Sequence, residues 1–111
     1  MILKLMGLTV KVDYVNKVTG GESMDASGAT YDGMYDMGTS RIQVSAELSE
    51  EDKMSTLCHE LFHAWMHHSG LHSAVTGDME EMMAGSFEKF LAPVLWTLAK
   101  KSKVKSIHGC A

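Results

Sequence analysis

The segment His59-Glu60-Leu61-Phe62-His63 decides how the whole chain is interpreted. Two histidines stand four residues apart, and a glutamate directly follows the first of them. Residues four apart lie on the same face of an α-helix, so both imidazoles can reach a single metal ion. Glu60 could then accept a proton from a water that attacks a carbonyl group. The segment therefore predicts a helix that carries His59 and His63 as metal ligands and Glu60 as general base.

The flanking sequence is typical of a helix that begins after Ser49 and ends at Gly70. Ser49 can cap the amino terminus, and the acidic turn after it suits the positive end of the helix dipole. Asp52, at the third helical position, approximates a capping box. Apolar residues recur at steps of three and four, which predicts a buried stripe: Met54, Leu57, Cys58, Leu61, Phe62 and Trp65. The two histidines lie beside this stripe.

The composition predicts a single domain over residues 1–111, because this length suffices for one core and the 45% hydrophobic fraction is ordinary for a globular protein. A formal net charge of −4 argues against a nucleic-acid binder. No segment is long and apolar enough to span a membrane, and the run from Met1 to Met6 is too short for a signal peptide. We therefore expect a cytoplasmic protein without a membrane partner. Cys58 and Cys110 offer no disulfide framework, and the oligomeric state stays open.

The amino-terminal part of the chain predicts a small β-sheet. Apolar and polar residues alternate from Leu8 to Tyr14, as in a half-buried strand. A second strand is expected over Ala29 to Tyr35 and a third over Arg41 to Val44. The segment from Asp36 to Thr39 is typical of a hairpin connection between them. Residues 19–28 are rich in Gly, Ser and Thr and predict a loop.

The carboxy-terminal part predicts helices. Asp78 is expected to cap a second helix, in which mostly apolar residues recur at helical spacing: Met79, Met82, Met83, Ser86, Phe87, Phe90 and Leu91. The methionines on this stripe are interpreted as core-filling residues. Pro93 should kink the helix or separate a final segment from Val94 to Lys100. The whole chain thus predicts an α+β domain, with an antiparallel or mixed sheet of about three strands packed on two or three helices.

A catalytic zinc site requires a third protein ligand. The candidates are His67, His68, His72, Glu80, Glu81 and Glu88. His67 continues the row of histidines but lies about 6 Å further along the helix axis than His63, so that row alone does not complete a compact tetrahedral site. The metzincin pattern requires a glycine and a third histidine at fixed offsets after the motif. Met66 and Ser69 occupy those positions, which excludes that pattern.

A glutamate supplied by a second helix is the gluzincin arrangement, and the sequence after Glu81 resembles one gluzincin family. Glu81, Ala84 and Phe87 fit the spacing E-x-x-A-x-x-F, and the segment from Phe90 to Pro93 continues it. This pattern is similar to that of the ImmA/IrrE-type metallopeptidases, small cytosolic gluzincins of bacteria, mobile elements and phages. The resemblance covers about residues 28–95, and the zinc motif is its specific part.

This resemblance implies a zincin-like fold and a zinc-dependent peptidase. Zn²⁺ would be held by His59, His63 and Glu81, and Glu60 would be the general base. Glu80 stays the alternative ligand, since it is adjacent in sequence but turned about 100° around the helix. Gly85 departs from the family pattern, where a bulkier residue is usual. We expect no DNA-binding or sensor domain of the kind often fused to such peptidases, and the resemblance implies no particular substrate or regulation.

The expected partner is a protein or peptide substrate, which the strand over Ala29 to Tyr35 could bind by strand addition. Candidate donors to the oxyanion are Tyr31, Tyr35, His67, His68 and His72. The alternative function is a catalytically inactive zinc-binding regulatory or interaction domain of the same fold. A metal-free interaction domain with a coincidental motif is the third possibility. Glu60 favours hydrolysis, because a purely structural zinc site has no need of a base.

Overall fold

The computed structural model describes residues 1–5, 7–18 and 32–107. A four-stranded mixed sheet packs against two α-helices, which confirms the predicted α+β class. The strands are β1 (Ile2–Leu5), β2 (Leu8–Val15), β3 (Gly33–Asp36) and β4 (Arg41–Ser45). The helices are α1 (Glu50–Ser69), a short 3₁₀ helix (Leu71–Ala74) and α2 (Gly77–Ile107).

The order of strands in the sheet is β1-β2-β4-β3. β2 pairs with β1 in antiparallel and with β4 in parallel orientation, and β3 pairs with β4 in antiparallel orientation. β1 is one strand more than the sequence predicted. It lies at the edge of the sheet and its side chains are mostly exposed, so it lacks the alternation by which β2 was identified. The opposite edge of the sheet is formed by β3.

The described part of the second predicted strand corresponds to β3. Residues 29–31 of that prediction lie outside the described residues, as does the predicted loop over residues 19–28, and β3 starts at Gly33. The predicted hairpin connection is confirmed, because a turn over residues 37–40 joins β3 to β4. The Gly38 N–H donates to Asp36 Oδ1 at 2.9 Å, which closes this turn.

The core lies between the sheet and α1. Its fully buried side chains come from the two central strands: Val10, Val12, Ile42 and Val44. These β-branched residues are typical of strands whose faces are buried. Ala64 of α1 is 1% exposed and lets the helix approach this layer, with Leu57 and Leu61 packed beside it. The packing fixes which side of α1 remains available for the histidines.

The predicted ends of α1 are confirmed. The Ser49 hydroxyl accepts a hydrogen bond from the Asp52 N–H at 3.1 Å, as expected for an N-cap. Gly70 ends the helix in the left-handed conformation, with φ of 80°, and its N–H donates to the His67 carbonyl. A residue with a Cβ is strained at that angle, so glycine is the favoured stop signal.

The predicted start of α2 is wrong by two residues. Thr76, rather than Asp78, accepts the hydrogen bond from the Met79 N–H, at 3.1 Å. Asp78 lies inside the first turn, where its charge suits the helix dipole. The helix also continues through Pro93 without a separate final segment. Pro93 has no backbone N–H to donate to the Lys89 carbonyl. Lys89 is exposed, so water can form a hydrogen bond with that carbonyl instead.

The apolar stripe of α2 is less buried than its periodicity predicted. Three of its residues are exposed by about half or more: Met79, Met82 and Phe90. Val94 and Leu98, which follow the predicted stripe, are exposed to a similar degree. Trp65, on the predicted stripe of α1, is also 48% exposed. α2 packs mainly against α1, and one neighbouring helix can cover only one side of it. Within the described residues, neither helix is long and apolar enough to cross a membrane.

Candidate metal centre

The two histidines of the motif project from one side of α1 and meet one carboxylate of α2. His59 Nε2 lies 2.6 Å from Glu81 Oε1, and His63 Nε2 lies 3.0 Å from Glu81 Oε2. The two imidazole rings pack edge to face with their centroids 5.1 Å apart. Each carboxylate oxygen of Glu81 therefore contacts the Nε2 atom of one histidine. The structure brings together the three side chains that the family resemblance implied as ligands.

Glu80 approaches His63 from its other nitrogen. Glu80 Oε2 lies 2.5 Å from His63 Nδ1 and 3.8 Å from His67 Nε2. The side chain of Glu80 is 11% exposed, whereas that of Glu81 is 62% exposed. Consecutive helical residues are turned by about 100°, which lets the two glutamates reach different nitrogens of one ring. Of these two glutamates, only Glu81 contacts Nε2 of both histidines.

Glu88 contacts Nδ1 of His59, as Glu80 contacts Nδ1 of His63. It follows Glu81 by seven residues, which is two helical turns, and therefore lies on the same side of α2. Glu88 Oε1 lies 3.0 Å from His59 Nδ1, and Glu88 Oε2 accepts a hydrogen bond from the Ser55 hydroxyl. Both histidines thus have a carboxylate at Nδ1 as well as the shared carboxylate at Nε2.

The donor set fits a zinc ion. His59, Glu60 and His63 each place one donor atom within 4.8 Å of the others, and Glu81 adds a carboxylate at the two Nε2 atoms. Two imidazoles and one carboxylate are a common ligand set of catalytic zinc. Burial lowers the pKa of His59, but hydrogen bonds to Glu81 and Glu88 outweigh it and raise that pKa overall. The surroundings of His59 therefore stabilise positive charge.

Glu60 lies on the same helix but points towards the sheet. It is 8% exposed, and burial raises its pKa above the ordinary value for a glutamate. The charges of His63 and His59 and a hydrogen bond from the Tyr35 backbone N–H oppose this shift. A raised pKa increases the affinity of the carboxylate for a proton, which suits a general base.

Gly33 allows β3 to lie directly against this part of α1. A Cβ at Gly33 would overlap the Cγ2 methyl of Thr56 and lie 3.3 Å from Glu60 Cγ and 3.2 Å from the Gln43 carbonyl oxygen. Gly33 is therefore the residue that this close packing requires. Its role is a close approach of backbone and helix, which brings the Tyr35 N–H within reach of Glu60.

An open cleft of about 390 Å³ leads to these side chains. It is lined by Gly33, Met34, Tyr35, His59, Glu60, His63, His67 and Glu81. His67 forms the wall beyond His63, packed against the rings of Tyr35 and His72 and with its Nδ1 3.0 Å from Met37 Sδ. Burial, followed by the charge of His72, lowers the pKa of His67. His67 is therefore neutral near pH 7 and retains an N–H donor.

The other candidate donors differ in their access to the cleft. The Tyr35 hydroxyl is hydrogen-bonded to Ser40, and burial raises its pKa. His68 lies on a different side of α1, in a pocket shared with Leu5 and Leu8. His72 packs against His67 and does not line the cleft. Tyr31 lies outside the described residues.

Glu88 was one of the candidate third ligands predicted from the sequence, whereas Ser55 was not among the predicted site residues. The signal that could have found their arrangement is a pair of spacings. Ser55, His59 and His63 follow one another at steps of four on α1, and Glu81 and Glu88 are seven apart on α2. Both spacings place side chains in one row, so two facing rows can pair along their length.

A helix that carries two histidines with a glutamate after the first, facing a glutamate from the next helix, is an arrangement of the gluzincin type. Residues 19–84, more than half of the chain, match the sequence model of peptidase family M78, the IrrE N-terminal-like domain. The chain therefore belongs to this family of metallopeptidases. The match includes the motif and Glu81 and ends before Glu88. No curated protein and no solved structure matches the chain.

Proposed function

We propose that the chain is a zinc-dependent peptidase in which His59, His63 and Glu81 hold the metal. The observation that carries this proposal is the convergence of both Nε2 atoms on the single carboxylate of Glu81. Such a carboxylate provides a negative charge at the point where two neutral nitrogen lone pairs would also bind a cation. Zinc is preferred over other divalent ions, because imidazole nitrogen with carboxylate oxygen suits it well.

Glu60 is the proposed general base. When bound, zinc supplies Lewis acidity that lowers the pKa of a water and polarises a carbonyl group. Glu60 lies in the same cleft as the proposed ligands, and its burial strengthens its affinity for the proton. The Tyr35 N–H holds its carboxylate and so limits its orientations. Glu60 would take a proton from the attacking water and return it to the leaving amine.

The proposed substrate is an extended segment of a protein or peptide. β3 is an outer strand of the sheet, and its residues Gly33, Met34 and Tyr35 form one wall of the cleft. An extended peptide could pair with this edge and so place a carbonyl beside Glu60. Among the candidate donors in the described residues, His67 is the neutral imidazole that lines the cleft, and we assign it the stabilisation of the oxyanion.

The metal assignment is tested by elemental mass spectrometry of wild type, Glu81→Ala and Glu80→Ala after zinc loading and removal of excess metal. We expect about one zinc per chain in wild type and its loss in Glu81→Ala. Glu80→Ala should retain the metal, with weaker binding, because Glu80 contacts His63 only at Nδ1. A folded wild type that takes up no zinc would overturn the proposal.

The peptidase assignment is tested separately with zinc-loaded protein and a panel of unfolded proteins. Cleavage by wild type and not by Glu60→Gln would support hydrolysis at this site. Stoichiometric zinc without any cleavage across the panel would favour the alternative, a catalytically inactive zinc-binding regulatory or interaction domain. Circular dichroism of each variant serves as the control for folding.

A further inference from the structure

The two Nδ1 atoms of the motif histidines have partners that the ligand set does not require. His59 Nδ1 contacts Glu88, and His63 Nδ1 contacts Glu80. A neutral imidazole carries its proton on one nitrogen, and a carboxylate at Nδ1 favours the tautomer with the proton there. The lone pair is then on Nε2, which is the atom that faces Glu81 in both rings.

We infer that Glu88 and Glu80 are positioning residues, which fix the orientation and tautomer of His59 and His63 so that both Nε2 atoms are presented to the metal. The inference rests on the proposed zinc site and adds to it the residues outside the ligand set. Carboxylates that accept the second N–H of a ligating histidine also increase the basicity of that ligand. Neither residue would touch the substrate or the metal itself.

Glu88 is itself held in place by a second hydrogen bond. The Ser55 hydroxyl donates to Glu88 Oε2, while Glu88 Oε1 contacts His59. Ser55 and His59 are four residues apart on α1, so Glu88 bridges two successive positions of one helix face from the neighbouring helix. This bridge locks the carboxylate against rotation, and the ring of His59 with it. Ser55 therefore acts on the metal site only through Glu88.

Burial distinguishes these carboxylates from surface glutamates. The side chains of Glu80 and Glu88 are 11% and 29% exposed, against 62% for Glu81. A carboxylate removed from water needs hydrogen-bond partners, and the two imidazoles provide them. Glu88 also lies beyond residues 19–84, the part of the chain that matches the family. The positioning of His59 thus depends on a helical turn that follows the matched segment.

The test is zinc affinity, measured by competition with a chromogenic chelator, for wild type, Glu88→Ala, Glu88→Gln, Ser55→Ala and Glu80→Ala. We expect Glu88→Ala and Glu80→Ala to weaken zinc binding by about 10- to 100-fold. Glu88→Gln should lose less, because its amide oxygen still accepts the Nδ1 proton without the charge. The matched control is Glu51→Ala, at an exposed glutamate in the first turn of α1.

A double-mutant cycle tests whether Ser55 affects zinc binding only through Glu88. Ser55→Ala should weaken zinc binding in the wild-type background and have no further effect in the Glu88→Ala background. An independent readout is the ¹⁵N spectrum of the zinc-loaded histidines, where a slowly exchanging Nδ1 proton of His59 should be present in wild type and lost in Glu88→Ala.

Two results are distinguishable. If folded wild type binds no zinc, the proposed metal site fails, and the positioning role fails with it. If wild type binds zinc while Glu88→Ala and Glu80→Ala bind it equally tightly, the positioning role is overturned and the metal site stands. Thermal unfolding of each metal-free variant excludes loss of affinity through unfolding. Glu88→Gln keeps the test valid should Glu88→Ala fail to fold.

Discussion

The two sides of the α1–α2 pair differ in the kind of side chains that line them. On the side of the cleft, charged groups of α2 meet imidazoles of α1: Glu80 with His63, Glu88 with His59, and Glu81 with both. In the part of the chain that the structure describes, no buried polar side-chain atom lacks a hydrogen-bond partner. This completeness is expected because an unpaired buried charge is costly.

The other side of the same helix pair is an apolar groove of about 560 Å³. Its lining residues are Cys58, Leu61, Phe62, Trp65, Met83, Phe87, Leu91 and Leu95. Burial and the charge of Glu88 raise the pKa of the Cys58 thiol. Cys58 is therefore an uncharged thiol near neutral pH, and its burial agrees with its place on the predicted apolar stripe of α1.

The contrast indicates how the two helices are held together. A small apolar cluster of Phe62, Met66 and Ala84 joins them, and Phe62 also lines the apolar groove. Ala84 is fully buried, and its short side chain lets α2 approach closely enough for Glu81 to reach the histidines. Apolar packing thus provides stability, while the polar side is arranged for chemistry. Substitutions on the two sides should accordingly affect different measurements.

The largest effect is expected for Glu60→Gln on the polar side. Turnover should fall by about 10²- to 10⁴-fold, the usual contribution of a general base. Zinc affinity should stay close to that of wild type, because Glu60 is not a proposed ligand. Burial raises the pKa of Glu60, so the free energy of unfolding falls as the pH rises from the ordinary pKa of a glutamate through this raised pKa. The metal-free variant should therefore be at least as stable as wild type at neutral pH.

Single-turnover cleavage, chelator competition and thermal unfolding measure these three quantities for Glu60→Gln. Retained turnover in the zinc-loaded variant would contradict the assignment of the general base. A large loss of stability would instead show that the polar side also has a structural role.

Phe62→Ala is the corresponding change on the apolar side. Phe62 is 8% exposed and packs against Met66 and Ala84, with its ring 5.2 Å from that of Phe87. Its truncation should lower the free energy of unfolding by about 3–5 kcal/mol. Phe90→Ala is the matched control, since Phe90 is 77% exposed and its truncation should cost less than about 0.5 kcal/mol. Urea unfolding of the two variants measures the difference, and equal losses would contradict this assignment of the core.

Removal of zinc from the polar side should lower the stability of the whole fold. A metal held by His59 and His63 of α1 and Glu81 of α2 binds the folded protein and not the unfolded chain. Free zinc at a hundred times its dissociation constant should stabilise the fold by about 2.7 kcal/mol. Thermal unfolding with and without a chelator measures this shift. Glu81→Ala should abolish it, and a shift that persists in that variant would place the stabilising metal elsewhere.

Features that depend on residues close together in the sequence could be predicted, whereas features that depend on how distant segments pack could not. The capping of α1 and the row of His59 and His63 depend on neighbouring residues in one helix, and the structure agrees with both. Burial of the α2 stripe depends on what covers the helix, so periodicity alone overestimated it at Met82 and Phe90. The facing of Glu81 and Glu88 towards His59 depends on how α2 docks, which no single-helix pattern contains.

The smallest predicted effect concerns Gly33, on the wall of the polar side. An added methyl group in Gly33→Ala would overlap Thr56 and press on Glu60, at an expected cost of about 1–3 kcal/mol for overpacking. Because the three atoms nearest to the added methyl group include Glu60 Cγ and no atom of a proposed zinc ligand, turnover should fall more than zinc affinity does. Thr56→Ser removes the overlapping methyl, so the double variant Gly33→Ala/Thr56→Ser should recover part of both stability and turnover. Recovery of stability without recovery of turnover would show that the position of Glu60 depends on more than this contact, and that the two sides are less separable than their packing suggests.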